Sequence, residues 1–277
     1  MDHLNGHTRL QFKNLWRADI AVNRTFKEID TRQLRGGPSL FIGGSTDAEL
    51  FLQTNTSKDL FFGGGIEHTN FDDKISESKN YTFLAQWLIN KRFNISSSTT
   101  YVDELNNHQY VMQPLVNKVR KYIVGTISRQ TLYTTLRAEL FVTPELSFQY
   151  YGSPYASSGK YEDYRNVTNA DSEDIDKRYS SLIVQSLPSG KVITDKNNNI
   201  FYNFSNGNPD FNFQEFRSNF VARWEYKTGS TIYFVWTNNR SRYQSSYKPL
   251  HLKSFRSLSE GIIQNAFMIK FNYWFSL

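Results

Sequence analysis

Apolar and polar residues alternate with period two along most of the chain, and the connections between alternating segments are sorted by length. The clearest segment is 131–142, where Leu132, Leu136, Ala138, Leu140 and Val142 share one face and Arg137 and Glu139 lie on the other. Side chains of a strand point alternately to its two faces, so each such segment reads as a β-strand with one apolar and one polar side. Similar segments occupy 8–22, 45–56, 60–70, 80–90, 93–102, 146–154, 215–226, 230–239 and the C-terminal twelve residues, whereas helical periodicity is nearly absent. Short turns at "SKD", "KR", "TPE" and "KTG" alternate with long polar connections at 23–44, 70–79, 103–120, 155–212 and 240–264. Sorting of this kind is the pattern of an outer-membrane barrel, with short periplasmic turns and long extracellular loops. The predicted fold is therefore all-β, an antiparallel up-and-down transmembrane β-barrel of about ten strands with both termini at the short-turn end.

Composition removes the competing classes. The mean hydropathy is −0.57, and no stretch approaches the roughly 18 apolar residues of a transmembrane helix. A barrel is not excluded by this, because only half of each strand faces lipid. The chain has 277 residues, with 32 Lys plus Arg against 26 Asp plus Glu and no cysteine. The basic residues are interspersed with acidic ones, so nucleic acid is not an expected partner. Without cysteine there is no disulfide scaffold, thiol nucleophile or cysteine-based metal site. The N-terminal "MDHLNGHTRLQ" lacks a basic start followed by an apolar core. The expectation is a single β-barrel domain over 1–277 that is the C-terminal part of a longer protein.

The final residues are apolar or aromatic on every second position: Phe267, Ile269, Phe271, Tyr273, Phe275 and Leu277, interleaved with Met268, Lys270, Asn272, Trp274 and Ser276. A terminal strand of this kind resembles the signal by which barrel-assembly machinery recognises outer-membrane barrels. Trp16, Trp87, Trp224, Tyr226, Trp236, Tyr273 and Phe275 are placed to meet a membrane interface, where amphipathic rings are favoured. The same rings are also compatible with the core of a soluble β-sandwich.

Four stretches carry a family resemblance: "LRGGP" (34–38), "LRAELFVTPELSFQYYGSP" (136–154), "NPDFNFQEFRSNFVARWEYKTGSTIYFVW" (208–236) and "FMIKFNYWFSL" (267–277). They resemble, in order and over most of the chain, the C-terminal barrel of an uncharacterised family of Bacteroidetes outer-membrane proteins. In that family a family-nine-type carbohydrate-binding module precedes the barrel. The resemblance implies a bacterial outer-membrane location and a link to glycans. It implies no cofactor and supplies no catalytic residue.

The residues themselves offer three kinds of site. Asp47, Glu49, Arg137, Glu139, Arg217, Arg223, Glu225 and Lys270 fall on the polar faces, where they would line a lumen or pair with one another and seal it. Glu139 and Arg137 are two apart on one face, so a cross-strand partner is expected for each. Tyr151, Tyr155, Tyr161, Tyr164 and also Tyr202 are expected in long loops, where rings among Asn and Asp can stack on sugars. His68, near Asp72 and Asp73, and His108 are expected as solvated loop histidines, with a loop-borne hydrolase site as the sharper alternative. "NFDD" (70–73) and "DKNNN" (195–199) are weak metal motifs, the second lacking the acidic residue that closes a calcium loop. The glycines of "GGP" and "GGG" read as turn or close-packing positions. Expected activities are binding or passage of an extracellular, glycan-derived solute, or else a soluble carbohydrate-binding sandwich or the hydrolase.

Overall fold

The computed structural model describes residues 3–187, 190–204 and 209–275. The chain starts with β1 (His3–Gln11), β2 (Arg17–Asp30), β3 (Leu40–Gln53), β4 (Leu60–Phe71), β5 (Glu77–Asn90) and β6 (Phe93–Met112). A small hairpin, β7 (Leu115–Val116) and β8 (Val119–Arg120), leads to β9 (Ile123–Phe141) and β10 (Leu146–Val167). A short insertion follows: helix α1 (Ile175–Arg178), β11 (Tyr179–Ser181), β12 (Ile183–Leu187), β13 (Gly190–Thr194) and β14 (Ile200–Phe204). The chain then returns in β15 (Phe211–Lys227) and β16 (Ser230–Gln244), passes through a 3-10 segment (Leu252–Glu260) and ends in β17 (Ile262–Asn272).

The protein is all-β and antiparallel. One sheet runs β1-β2-β3-β4-β5-β6-β9-β10-β15-β16-β17, with β11 added to β10. Among the described residues β1 and β17 do not pair with each other, so this sheet is open at both edges. Connections 12–16, 54–59, 91–92, 142–145 and 228–229 lie at one end, here the turn end. Connections 31–39, 72–76, 113–122, 168–210 and 245–261 lie at the other, the loop end. The expected sorting by length is present, except that 72–76 is a tight turn in which Asp73 accepts from the backbone N–H groups of Ile75 and Ser76.

The strand count differs from the expectation. Segment 8–22 is a hairpin, β1 and β2, turned at 12–16 by Leu15 in the left-handed region (φ 64°) and by the Phe12 N–H donating to the Trp16 carbonyl. Consequently the N-terminal edge strand starts at the loop end. Strands β6, β9 and β10 also run further into the expected loops than alternation suggested.

Register makes the two faces continuous across the sheet. One row aligns Ile20, Leu50, Ile66, Tyr81, Tyr101 and Leu132. A second aligns Ala138, Tyr150, Phe220, Trp236 and Phe267. Large apolar side chains on this face stay exposed, among them Ile66 (53%), Phe83 (53%) and Ile269 (73%). Buried apolar clusters form instead at the loop end. Ile123, Tyr164, Leu182, Ile193 and Phe204 make one, and Leu34, Leu40, Val124 and Tyr179 the other. The only substantial cores described thus tie 31–39 and 168–204 into a cap over the extended ends of β6, β9 and β10.

Candidate functional site

The polar face is built by the alternate residues of the same strands. Asp47, Glu49, Arg137, Glu139, Arg217, Arg223, Glu225 and Lys270 all fall in its register rows. They do not form one sealing network. Arg223 pairs with Glu225 at 2.8 Å and Arg217 with Glu215 at 3.0 Å, each two residues apart on a single strand. These pairs form within one strand because residues i and i+2 share a face. Arg137 does find its neighbour across the ladder, but that neighbour is the Tyr151 ring, 5.7 Å away. Lys270 lies over Tyr233, and Asp47 accepts from the Thr69 hydroxyl. Among the described residues, Asp47, Glu49, Arg137, Glu139 and Lys270 have no opposite charge within 4 Å. Such residues remain hydrated unless another group reaches them. Close-packing glycines are also found: a Cβ on Gly65 would lie 2.6 Å from the Phe51 ring, so Phe51 rests on the "GGG" shelf.

The tyrosine expectation needs correction. Tyr151, Tyr155, Tyr161 and Tyr164 are all in β10, not in a loop. Tyr151 is engaged by Arg137, and Tyr155 packs against Phe213 at 6.0 Å. Tyr161 is half-buried, and Tyr164 is 2% exposed against Phe204, with burial raising its hydroxyl pKa. Tyr202, in β14, sits edge-on to Phe204 at 4.9 Å. Rings spent on the cap core cannot present an open stacking face, which removes Tyr164 first.

The histidines separate. His68 is on the apolar face of β4, with Nε2 3.5 Å from Glu77. His108 is not solvated: it is 3% exposed, above the alternating part of β6 and past its bulge. Its Nε2 lies 3.1 Å from Asp73 Oδ2 and its Nδ1 2.7 Å from the Tyr179 hydroxyl. The tautomer with the proton on Nε2 serves both neighbours, with the Tyr179 hydroxyl donating to Nδ1. Arg165 and Arg178 stand over the Tyr179 ring at 5.1 and 5.6 Å. Arg165 also donates to Asn107 and Thr126, joining β10 to β6 and β9. This cluster pins the insertion to the sheet, and sequence reasoning missed it because its members are far apart in the chain. Ser76 donates its hydroxyl to Asp73, not to His108, so it is not aligned as a nucleophile.

Beside the cluster is a cavity of about 340 Å³, lined by Glu28, Asp30, Gln33, Glu104, Asn106 and His108. Ile42, Phe71 and Leu105 supply apolar wall, and since both His108 nitrogens are engaged, the groups open to a solute at this mouth of the polar face are the carboxylates of Glu28, Asp30 and Glu104 and the amides of Gln33 and Asn106. Such a lining hydrogen-bonds a polar, hydroxyl-rich or cationic solute. Asp195 of "DKNNN" instead closes its own turn, accepting from the Asn197 and Asn199 backbone. No group of three metal-binding side chains converges among the described residues.

Acid should loosen the cap. Burial holds His108 below its ordinary pKa of 6.5, with Arg165 and Arg178 acting in the same direction and Asp73 against them. The folded state therefore resists a proton that the unfolded chain accepts. This contribution is complete above pH 6.5 and is lost as the pH falls toward the folded value, by up to about 1.4 kcal/mol per pH unit. Burial pushes the Asp73 carboxyl up, but His108 beside it, the Ser76 hydroxyl and the Ile75 and Ser76 backbone N–H groups together hold it well below 3.8, so it stays ionised throughout that window. Protection factors of the amides in 168–182, corrected for the slower intrinsic exchange in acid, should be lower at pH 5 than at pH 7.5 in the parent. In His108→Gln this differential should vanish, and its persistence would remove His108 from the effect.

Of the expected assembly strand, Phe267, Ile269 and Phe271 lie on the apolar face of β17, over Trp236, Phe234 and Ile232 in register. Tyr273 and Phe275 follow the strand and stack at 6.3 Å, with Lys227 over Tyr273. Leu277 lies outside the described residues. Trp16, Trp87, Trp224, Tyr273 and Phe275 gather at the turn end and are largely exposed, while Trp236 stands further up β16.

Comparison with known proteins gives one family. A family model described as a domain of unknown function, DUF5916, matches residues 2–276. No curated protein and no solved structure matches the chain.

Proposed function

This chain belongs to the DUF5916 family, and we propose that it forms most of the wall of an outer-membrane β-barrel whose capped mouth binds or passes a polar extracellular solute. One observation carries the reading. Toward the turn end of the eleven-stranded path large apolar side chains such as Ile20, Leu50, Phe83, Leu136, Phe234 and Ile269 lie on one face and stay exposed, with Asp47, Glu49, Arg137, Glu139, Arg223 and Lys270 on the other; toward the loop end the first face also carries Lys79, Asp103 and Arg240. An uncovered apolar surface of that extent is not sustained in water, whereas a bilayer satisfies it. The exposed aromatic belt at the turn end supports the same orientation. A soluble sandwich would require a second sheet over the apolar face, and none is among the described elements.

Strand direction refines the proposal. β1 and β17 run the same way, so an all-antiparallel closure needs an odd number of further strands between them. This fits the reading of the chain as the C-terminal portion of a larger barrel, behind a family-nine-type carbohydrate-binding module in a Bacteroidetes protein. A glycan-derived solute suits the carboxylate- and amide-lined cavity at the mouth. Lipid and the barrel-assembly machinery are the other partners.

Fractionation tests the location. The full-length protein is expected in the outer-membrane fraction after density-gradient separation, extracted by detergent and not by carbonate or urea. Recovery in the soluble periplasm would overturn the proposal.

A further inference from the structure

The apolar face does not stay apolar to the loop end. Near the upper parts of β9, β10, β15 and β16 its rows carry Gln130, Ser158, Asn212, Ser218, Asn238 and Arg240. Connection 245–261 folds back over this region. The Lys248 N–H donates to Ser158 Oγ at 3.1 Å, the Leu250 N–H donates to Gln130 Oε1 at 3.0 Å, and Arg242 pairs with Glu260 at 2.8 Å. Leu258 is buried under the fold-back, and Ser158, Asn212, Ser218 and Asn238 are all at most 5% exposed. The connection is thus a strap that keeps polar groups of the outward face away from hydrocarbon, where unsatisfied polar atoms are costly.

The strap and sheet do not close completely. Between them is a cavity of about 410 Å³ with Tyr150, Phe216, Trp236 and Phe255 as aromatic walls and Asn238 and Arg240 among its polar groups. Asn238 and Trp236 are held by the Asn265 side chain at 2.8 and 3.1 Å. Arg240 is different. Its register neighbours are Phe216 and Ile263, and among the described residues it has no carboxylate within 4 Å. A half-buried guanidinium among rings is a fixed positive charge awaiting an anion. The floor of the cavity continues toward the turn end as Phe220, Phe234, Phe267 and Ile269.

We propose that this cavity holds the phosphate headgroup of an anionic membrane lipid against Arg240, with an acyl chain leaving over Phe220, Phe234 and Phe267. The inference rests on the bilayer reading above, since the apolar floor faces acyl chains only in a membrane. A free phosphate would use the guanidinium alone and leave the aromatic walls unfilled. A neutral sugar would fill the walls and leave Arg240 unpaired. The lipid satisfies both.

Two measurements on the full chain separate this proposal from the one it rests on. Flotation with phosphatidylcholine vesicles reports membrane insertion. Retention of added phosphatidylglycerol, phosphatidylcholine or inorganic phosphate by detergent-solubilised protein, read by native mass spectrometry, reports the site. The parent should float and retain phosphatidylglycerol over phosphatidylcholine by at least about fivefold, a preference one charge-assisted contact can supply. Arg240→Gln should float yet lose the preference, and Arg240→Lys should keep most of it. Millimolar phosphate should fail to displace the lipid. A parent that does not float overturns the bilayer reading and this inference together. A floating Arg240→Gln that retains phosphatidylglycerol like the parent overturns this inference alone. So does displacement by free phosphate, which would make the site an anion site and not a lipid site. Should Arg240→Gln not float, loss of the preference in Arg240→Lys overturns the charge assignment.

Discussion

Leu136→Arg is expected to reduce the folded, membrane-inserted yield severely, and Thr135→Arg is expected to leave it close to the parent. The two residues are adjacent in β9 and share its backbone pairing, so strand propensity and register cannot account for a difference. What separates them is the face. Leu136 aligns with Ser97 and Gly152, two small residues, and stands out from the apolar side near mid-strand. An arginine there cannot be absorbed by its neighbours and must enter hydrocarbon, at a cost of about 2–4 kcal/mol at the bilayer midplane. Thr135 aligns with Ser98 and belongs to the polar face, near Arg137. A guanidinium on that side keeps its water. Folded fractions from heat-modifiability on a gel, in matched lipid, give the comparison. Equal losses would mean that both faces meet the same medium, and the reverse order would mean that lipid lies on the charged side.

The faces were legible in the sequence because period two needs only neighbours in the chain. Every one of the charged positions read as polar-facing falls in the polar rows, and Phe267, Ile269 and Phe271 fall in the apolar rows. The strand count was not, and the reason is local. The turn at 12–16 is "FKNLW", with no glycine or proline, and Leu15 adopts the left-handed backbone that usually betrays itself by Gly or Asn. By contrast, the turn at 228–229 carries Gly229 at φ 75° and was recognisable.

The cap was illegible for a different reason. Above Tyr155, strand β10 is covered on both sides, so Ala156, Ser157 and Ser158 are all buried and alternation disappears. Its core draws Leu34, Leu40, Ile123, Val124, Tyr179, Leu182 and Ile193 from distant segments, one or two at a time. No window of sequence contains enough of them to show a period. The same scattering hid the histidine cluster: His108 and Tyr179 are 71 residues apart, and each alone looks like an ordinary polar loop residue.

Deleting 262–275 is expected to abolish membrane assembly. Newly unpaired backbone groups do not decide the outcome, because β17 is already an edge among the described residues and its removal transfers the edge to β16. Three other losses coincide. The first is aromatic: Phe267 stacks with Trp236 at 6.3 Å and Phe271 with Tyr226 at 5.6 Å, so the apolar face loses cross-strand pairs worth about 0.5–1.5 kcal/mol each beyond burial. The second is the far anchor of the strap, since 245–261 would no longer be held at both ends. The third is direction. β16 runs opposite to β17, so a closing strand antiparallel to β17 would meet β16 in parallel and the up-and-down order would fail at the seam. A shorter deletion separates these causes. Removing 273–277 leaves β17 and the strap intact but takes away Tyr273 and Phe275, together with the Trp274 N–H that donates to Ser230 Oγ at 3.0 Å. If the terminal aromatics are the assembly signal, the shorter deletion should fail in cells yet refold in detergent or lipid, whereas the longer one should fail in both. Parental insertion of the longer truncation in cells would show that this strand neither closes the barrel nor directs its assembly, and parental insertion of the shorter one would show that Tyr273 and Phe275 are not the assembly signal.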